Sequence, residues 1–553
     1  MEDLGKTGGQ GREPATQFTG VKTREPLPTT GISEPLGPPP NGQSPAGAAQ
    51  ASRRWRTVWR IHFYAGMLAL PVLVLLSLTG LVILYTDPVN NTFGANLRTV
   101  VPGSQRLALE EQRTAVMLAF PKLRVSGMTM PAGPDRATVF SMTDDTSFRD
   151  VFVNPYTAEV LGSAKQGSNL IGLANRLHGA LNLNDGDETG PKVKLPMLSG
   201  IFGEGPAFIP VPAGEVIVEV FACWALILAA TGIFLWWPRK SGTGKALFLP
   251  RWSRLRKGGR ARWRDLHALP GIVFSGVLVF FVTTGLPWSG FWGENWSFLS
   301  KRITPPPTFT VPASGTVQAG DLDRFGNRID WAVRDAPVPA SGVGSRGHHH
   351  EGGGSGAAGS DASGPRPASL PLDAVARIAE TERMQPGYSI ALPVDTKDEG
   401  GRPIYGSFTL TDAWPARLHT SATVYVDQFS GQTLARMTPY DEGALSQLTS
   451  FGIQTHMGTQ YGLVTRIAMT LGCLLLLWMA FTAVVMWWKR RPRGKAGLPR
   501  RSADAALPKG LRVAALAMGV VYPLWAASAV LVLLVDRLLI RRVPRLSRAF
   551  GMR

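Results

Sequence analysis

The stretch WRIHFYAGMLALPVLVLLSLTGLVILY, residues 59–85, decides the fold. It is apolar for long enough to cross a bilayer, which takes about 20 helical residues. A histidine, His62, stands at its entrance, directly behind Arg53, Arg54, Arg56 and Arg60. The stretch RDLHALPGIVFSGVLVFFVTTGLPW, residues 264–288, repeats the arrangement around His267. In each, a glycine follows the histidine by four residues (Gly66, Gly271) and a Thr-Gly pair ends eighteen residues on, at Gly80 and Gly285.

Three more stretches have the same apolar length, so the chain reads as an integral membrane helical bundle of five spans rather than a soluble core. The spans fall within 55–88, 216–237, 265–292, 441–488 and 511–536. A net charge of +19 would suit nucleic acid, but its distribution points to topology instead. The segment 238–264 carries ten Lys/Arg and no acid, and 489–510 carries eight with one acid. Segments 89–200 (eleven basic, ten acidic) and 289–455 (thirteen basic, seventeen acidic) are balanced. Basic loops stay cytoplasmic, which places the N-terminus on the cytoplasmic side and the two long segments across the membrane. A continuous fifth span would then leave the basic tail RLLIRRVPRLSRAFGMR outside, against the rule. Cys223 and Cys473 both fall inside spans, where cysteine serves as a small apolar residue. The first span is too long for a signal-peptide core and reads as an uncleaved anchor.

The chain is a duplication. After the first and third spans come outer blocks that end in matching strand–turn–strand patterns, VFVNPYTAEVLG from Val151 and VYVDQFSGQTLA from Val424. Helical stretches precede both, so each block reads as a small α+β module. Each half then supplies a second histidine, His178 in NRLHGALNL and His456 in IQTHMGTQYG, and a span ending in TGIFLWWPRK or TAVVMWWKRR. Tryptophan followed by a basic residue anchors a span at the cytoplasmic interface. The order is a disordered tail (1–54), span one (55–88), module one (89–166), an interfacial helix with an inserted loop (167–215), span two (216–237) and a basic loop (238–264). Span three (265–292), a disordered insert (303–368), module two (369–440), an interfacial segment with span four (441–488), a second basic loop (489–510), span five (511–536) and a basic tail (537–553) complete it.

Of eight histidines, His348, His349 and His350 lie in the low-complexity insert, and His419 reads as a surface residue. The other four recur in the repeat, and ionisable residues at membrane depth usually mark function. Symmetry pairs His62 with His267 and His178 with His456. Two neutral imidazoles facing each other across helices make the axial pair of a six-coordinate haem; a repeat that preserves structure alone is the alternative. Eighteen residues of helix rise roughly 27 Å, so the first pair lies near the cytoplasmic face and the second near the outer one. Gly66, Gly179, Gly271 and Gly458 would let a flat macrocycle approach the backbone, or let helices pack closely. Arg60, Arg176 and Arg264 would hold propionates or anchor the interface, and Met457 is a substitute ligand.

With these residues the sequence resembles the PepSY-associated transmembrane proteins of bacteria, through the "H…G…TG" spans, the TG-x-x-x-WWPR ending and the VFVNPYTAEVLG hairpin. The best understood members are inner-membrane siderophore reductases with two b-type haems. The resemblance implies periplasmic PepSY-like modules and two non-covalent b-type haems on His62, His178, His267 and His456. It also implies reduction of a ferric siderophore on the outer side, releasing Fe(II) for iron uptake. The chain departs from the pattern in the long insert, in TA for TG in the fourth span, and in the fifth span. GTGK at 242 lacks the glycine and the strand of a nucleotide loop, so no flavin or NAD site is expected. Electrons would come from a quinol or a cytoplasmic reductase. Two other classes fit the outline: a PepSY regulator of exported peptidases, and a siderophore or metal permease. The permease lacks support from broken helices and midplane polar residues.

Overall fold

The computed structural model describes residues 45–144, 147–183, 190–237, 259–305, 313–325, 328–342, 367–413, 417–491 and 507–549. The chain divides into Met1–Gln50, of which only residues 45–50 are described, and Ala51–Arg553, which carries everything that follows. Four long helices form the bundle: α1 (Arg53–Leu84), α4 (Ala213–Trp236), α5 (Gly259–Gly285) and α9 (Leu463–Arg490). Pro71 and Pro270 lie inside α1 and α5, as membrane helices tolerate where neighbours satisfy the freed backbone. The bundle core joins Ala65 and Ala69 of α1, Cys223, Ala225 and Ala229 of α4, Phe274 and Leu278 of α5, and Leu476 of α9. Small residues on α1 and α4 let the backbones approach, which drives helix association where lipid removes the hydrophobic drive. Leu68, Leu78, Val273, Leu471 and Leu474 face outward and exposed, the expected surface when the solvent is hydrocarbon.

Beyond the bundle, the two expected modules are one body. Helix α2 (Leu109–Ala119) precedes strands β1 (Arg124–Thr129), β2 (Thr138–Thr143), β3 (Phe148–Val153) and β4 (Val160–Lys165). Helix α7 (Leu372–Thr381) precedes β5 (Ser389–Ala391), β6 (Ser407–Thr411), β7 (Thr423–Asp427) and β8 (Thr433–Met437). All eight strands form a single sheet in the order β8-β7-β6-β5-β1-β2-β3-β4. Its seam is an antiparallel pairing of β1 with β5, Gly127 opposite Ala391, Met128 opposite Ile390 and Thr129 opposite Ser389. An unpaired edge on either half would present open N–H and C=O groups, and the seam pairs the β1 edge of one half with the β5 edge of the other. Both hairpins read from sequence are present, as β3–β4 and β7–β8. Helices α2 and α7 cover one face, with Leu109, Val116, Phe140, Val153, Leu372, Val375, Ile390, Val424 and Val426 in a common core. They also cap each other. The backbone N–H of Leu109 donates to Asp373 Oδ1 at 2.8 Å, and that of Leu372 donates to Glu110 Oε1 at 2.9 Å. Each carboxylate thus satisfies open donors at the start of the other helix.

The insert 303–368 is not the featureless loop its composition suggests. Residues 313–318 and 337–339 pair as strands, and Leu322, Ile329, Val333 and Val338 are buried against Ala391, Tyr425, Ala435 and Met437. These lie on the sheet face opposite the helices, since successive strand residues point to opposite sides and Val424 and Val426 face α2 and α7. The apolar residues are too diluted by glycine, alanine and proline to show periodicity, yet they match a waiting apolar face. Residues 343–366, with the histidine triplet, lie outside the described residues. In the inserted loop of the first half, residues 192–196 and 208–212 form an antiparallel ribbon over Met197, Val211 and Phe291.

The fifth expected span is broken into two helices, α10 (Lys509–Val521) and α11 (Pro523–Val535), and the stretch Pro523–Ile540 is the fifth in the chain that is long and apolar enough to cross a membrane. Tyr522, at φ −126° and ψ 77°, breaks the helix, because a residue before proline is pushed out of the α region. Thirteen residues of α10 rise roughly 20 Å, short of the ~30 Å hydrocarbon thickness. The bend sits on the sheet side: Trp292, which opens α6 (Trp292–Ile303) just past the sheet-side end of α5, stacks on Tyr522 at 5.7 Å and donates its indole N–H to the Val521 carbonyl at 3.0 Å. At the other end, Asp536 comes within electrostatic reach of Tyr64, beside His62. The chain therefore turns back through α11 and brings Asp536 to the His62 side.

Single cysteines at Arg542 and Arg262 should react with an impermeant maleimide from the same side of sealed vesicles, and one at Thr157 from the opposite side. Labelling of Arg542→Cys together with Thr157→Cys would show a continuous fifth crossing instead of the hairpin.

Candidate functional site

The four repeated histidines occupy equivalent positions, each locked in the same way. His62 of α1 places Nδ1 2.9 Å from Thr231 Oγ1 of α4. His267 of α5 places Nδ1 2.9 Å from Thr482 Oγ1 of α9. On the sheet side, His178 lies on α3 (Leu170–Ala180) with Nδ1 3.0 Å from Thr79 Oγ1 of α1. His456 ends α8 (Ala444–His456), with Nδ1 2.9 Å from Thr284 Oγ1 of α5. The backbone of the residue three before each threonine, Leu228, Met479, Leu76 or Phe281, also lies within reach of the imidazole.

These contacts fix the tautomer. Each threonine donates its hydroxyl to the carbonyl four residues earlier, Ile227, Trp478, Leu75 or Phe280, at 2.6, 3.0, 2.8 and 2.6 Å. A hydroxyl carries one proton, so the oxygen has only lone pairs left for the imidazole. With the hydroxyl engaged in this way Nδ1 carries the proton, and Nε2 keeps its lone pair for a metal or a hydrogen-bond donor. The residue after the threonine is matched to the ring. A Cβ on Gly80, Gly232 or Gly285 would stand 3.4, 3.4 or 3.3 Å from Cε1 of His178, His62 or His456.

The symmetry pairing is spatial. The rings of His178 and His456 have centroids 6.5 Å apart with planes at 83°. A metal–imidazole bond of about 2.0 Å plus about 1.1 Å from nitrogen to ring centre would put two axial ligands of one metal roughly 6 Å apart. His62 and His267 come within electrostatic reach of each other on the opposite side of the bundle. All four residues are half-buried. Among the described residues no group of three or more His, Cys, Asp or Glu side chains converges. The bundle offers pairs of nitrogens rather than a closed protein cage, and paired nitrogens suit a cofactor whose metal already has equatorial ligands. The residues present fit a bis-imidazole haem.

The remaining candidates are placed as follows. A Cβ on Gly66 would stand 3.6 Å from Leu228 of α4, and one on Gly271 would stand 2.9 Å from Met479 of α9, so each glycine faces a neighbouring span. Gly458 adopts φ +74° and turns the chain after α8. The guanidinium of Arg176 bonds Asn182 and the Gly167 carbonyl. Arg264 pairs with Asp265 at 3.0 Å, and Arg60 lies over the Tyr64 ring at 5.5 Å. His419 sits exposed in a turn of the sheet domain. The sequence pattern includes Thr79, Thr231, Thr284 and Thr482 but does not reveal their role as partners of the histidines. The signal was there, in a threonine at one position of all four spans followed by Gly, Gly, Gly and Ala.

Fold and site together define a polytopic membrane protein with a duplicated two-span unit and an imidazole pair at each side. The sequence matches the family described as "PepSY-associated TM region" over residues 59–490, and the chain belongs to that family. No curated protein matches it in sequence.

Burial, and next the nearby His178, holds the His456 imidazole down from 6.5 to about 3. The unfolded chain therefore takes up a proton first as pH falls, and stability present above about 6.5 is lost progressively toward 3. In thermal melts of the unliganded protein, wild type should lose Tm more steeply than His456→Gln between pH 6.5 and 4. Parallel curves would show that His456 is not held neutral by the fold.

Proposed function

We propose that the protein is a di-haem oxidoreductase of the bacterial inner membrane that reduces ferric siderophores on the sheet side, releasing Fe(II) for uptake. The observation that carries the reading is the fourfold imidazole–threonine lock, arranged as one histidine pair at each side of the bundle. Haem b held by two imidazoles supplies one-electron chemistry. The protein's own part is to present bare Nε2 atoms, to hold each ring against rotation through Thr79, Thr231, Thr284 and Thr482, and to clear the ring edge with Gly80, Gly232 and Gly285. A hydrogen bond from Nδ1–H to an acceptor raises the basicity of the other nitrogen, which favours the oxidised metal.

Two sites at opposite ends of α1 and α5 suit electron passage from the cytoplasmic side outward. His62 and Thr79 are seventeen residues apart on one helix, a rise of roughly 26 Å. Siderophores hold Fe(III) through hard oxygen donors, which bind the softer Fe(II) less well, so one electron loosens the metal without breaking the chelator. The donor is a quinol or a cytoplasmic reductase, because the sequence carries no nucleotide-binding loop.

Purified protein should carry about two non-covalent b-type haems per chain, a count that follows from two axial pairs. His178→Ala and His456→Ala should remove the same haem, and His62→Ala and His267→Ala the other. Thr284→Val should weaken retention at the sheet-side site about 10–100-fold, the usual cost of losing such a supporting bond, while Thr284→Ser should retain it. Protein that stays colourless after expression with ample haem would overturn the reading.

A further inference from the structure

We propose that Asp330 and Trp331, within the long insert, are positioning residues for the sheet-side histidine pair, and that the folded part of the insert is a strut between the sheet and His456. The inference rests on the paired-histidine reading above.

His456 is the last residue of α8, and helix ends fray unless held. Asp330 holds this one. It is 3 % exposed, with Oδ1 accepting the Ser450 hydroxyl at 2.6 Å and the Ala332 N–H at 3.0 Å, and Oδ2 accepting Gln454 Nε2 at 2.6 Å. Ser450 and Gln454 are one turn apart on α8, and Gln454 precedes His456 by two residues. Trp331 holds the other half of the lock: its indole donates to the Pro287 carbonyl at 3.1 Å, three residues past Thr284. One short segment therefore grips both the helix that bears the imidazole and the helix end that bears its threonine.

The other end of the strut is in the sheet. Ile329, Val333 and Val338 pack on Tyr425, Ala435 and Met437. Ser341 donates to the Gly406 carbonyl at 2.8 Å, and the N–H of Gly342 donates to Asp427 Oδ2 at 2.8 Å. A buried carboxylate is costly unless its lone pairs are satisfied, and an apolar side chain would fill the space without that cost. What the carboxylate adds is direction, since its three bonds set the rotation of α8.

The test uses the full chain with Asp330→Ala, Asp330→Asn, and Asp330→Asn combined with Gln454→Glu, which restores the bond with donor and acceptor exchanged. Amide hydrogen exchange reads the effect without any cofactor. Residues 444–458 should exchange about tenfold faster or more in Asp330→Ala, as expected when charge-assisted bonds are lost. Residues 170–180 around His178 should keep wild-type protection, and the double variant should recover most of it in 444–458. In the haem-loaded protein the low-spin spectrum and midpoint potential assigned to His178 and His456 should shift in Asp330→Ala, and those assigned to His62 and His267 should not. Unchanged exchange in 444–458, or equal loosening of 170–180, overturns the strut. A wild type that binds no haem overturns the proposed function alone, because the exchange comparison still judges the strut.

Discussion

A threonine in the middle of a membrane helix has one hydroxyl proton, and its own helix takes it. Thr79, Thr231, Thr284 and Thr482 each give theirs to the carbonyl one turn back, which leaves an oxygen that can only accept. Everything at the two histidine pairs follows from that. The imidazole facing the oxygen carries its proton on Nδ1, the ring cannot turn without leaving that donor unpaired, and Nε2 is left without a proton. In hydrocarbon such a lock has no water to compete with it. The same device at four places means that the arrangement of the spans is set by where threonine and histidine meet, and the apolar core fills in around them.

The extramembrane part serves the same geometry from outside. The sheet is closed along its middle by the β1–β5 seam, and its second face is covered by the folded part of the insert. That insert returns to the bundle at Asp330 and Trp331, so the sheet and the sheet-side pair are joined by a short buried path as well as by the covalent chain. The bent helices α10 and α11 complete the bundle at its edge, where Trp525 meets Trp224 and Ser528 accepts the indole N–H of Trp224 at 3.1 Å.

Much of this was legible in the residues. Spans, repeat, hairpins and the four histidines with their pairing come from periodicity and duplication, which a sequence records directly. The threonines were visible as a recurring position but gave no sign of their role, because a hydroxyl one turn from a carbonyl looks like ordinary helix chemistry until a ring is seen against it. The seam between the modules was hidden for a different reason: β5 contributes only Ser389–Ala391, too short a run to announce an edge. The insert failed because its buried residues answer to Tyr425 and Met437 far along the chain rather than to one another. At Tyr522–Pro523 the proline was in plain view, and the excess of positive charge in the tail already spoke for a turn.

The reciprocal caps at Glu110 and Asp373 have the form of a dimer contact. Leu109 and Glu110 correspond to Leu372 and Asp373 in the repeat, and each acidic residue holds the backbone of the other's neighbour, as in an isologous interface where one patch meets its own copy. The histidine pairs obey the same rule. Each imidazole finds its threonine within its own half, yet finds its partner imidazole only in the other half. Half of this chain could build the locks but not one complete pair, so the pseudo-twofold axis runs through both sites. Fusing the halves frees the two sides of each pair to differ, with Ala483 standing where the first half has Gly232 and the strut reaching His456 alone. A symmetric pair of subunits would have been bound to change both ligands together.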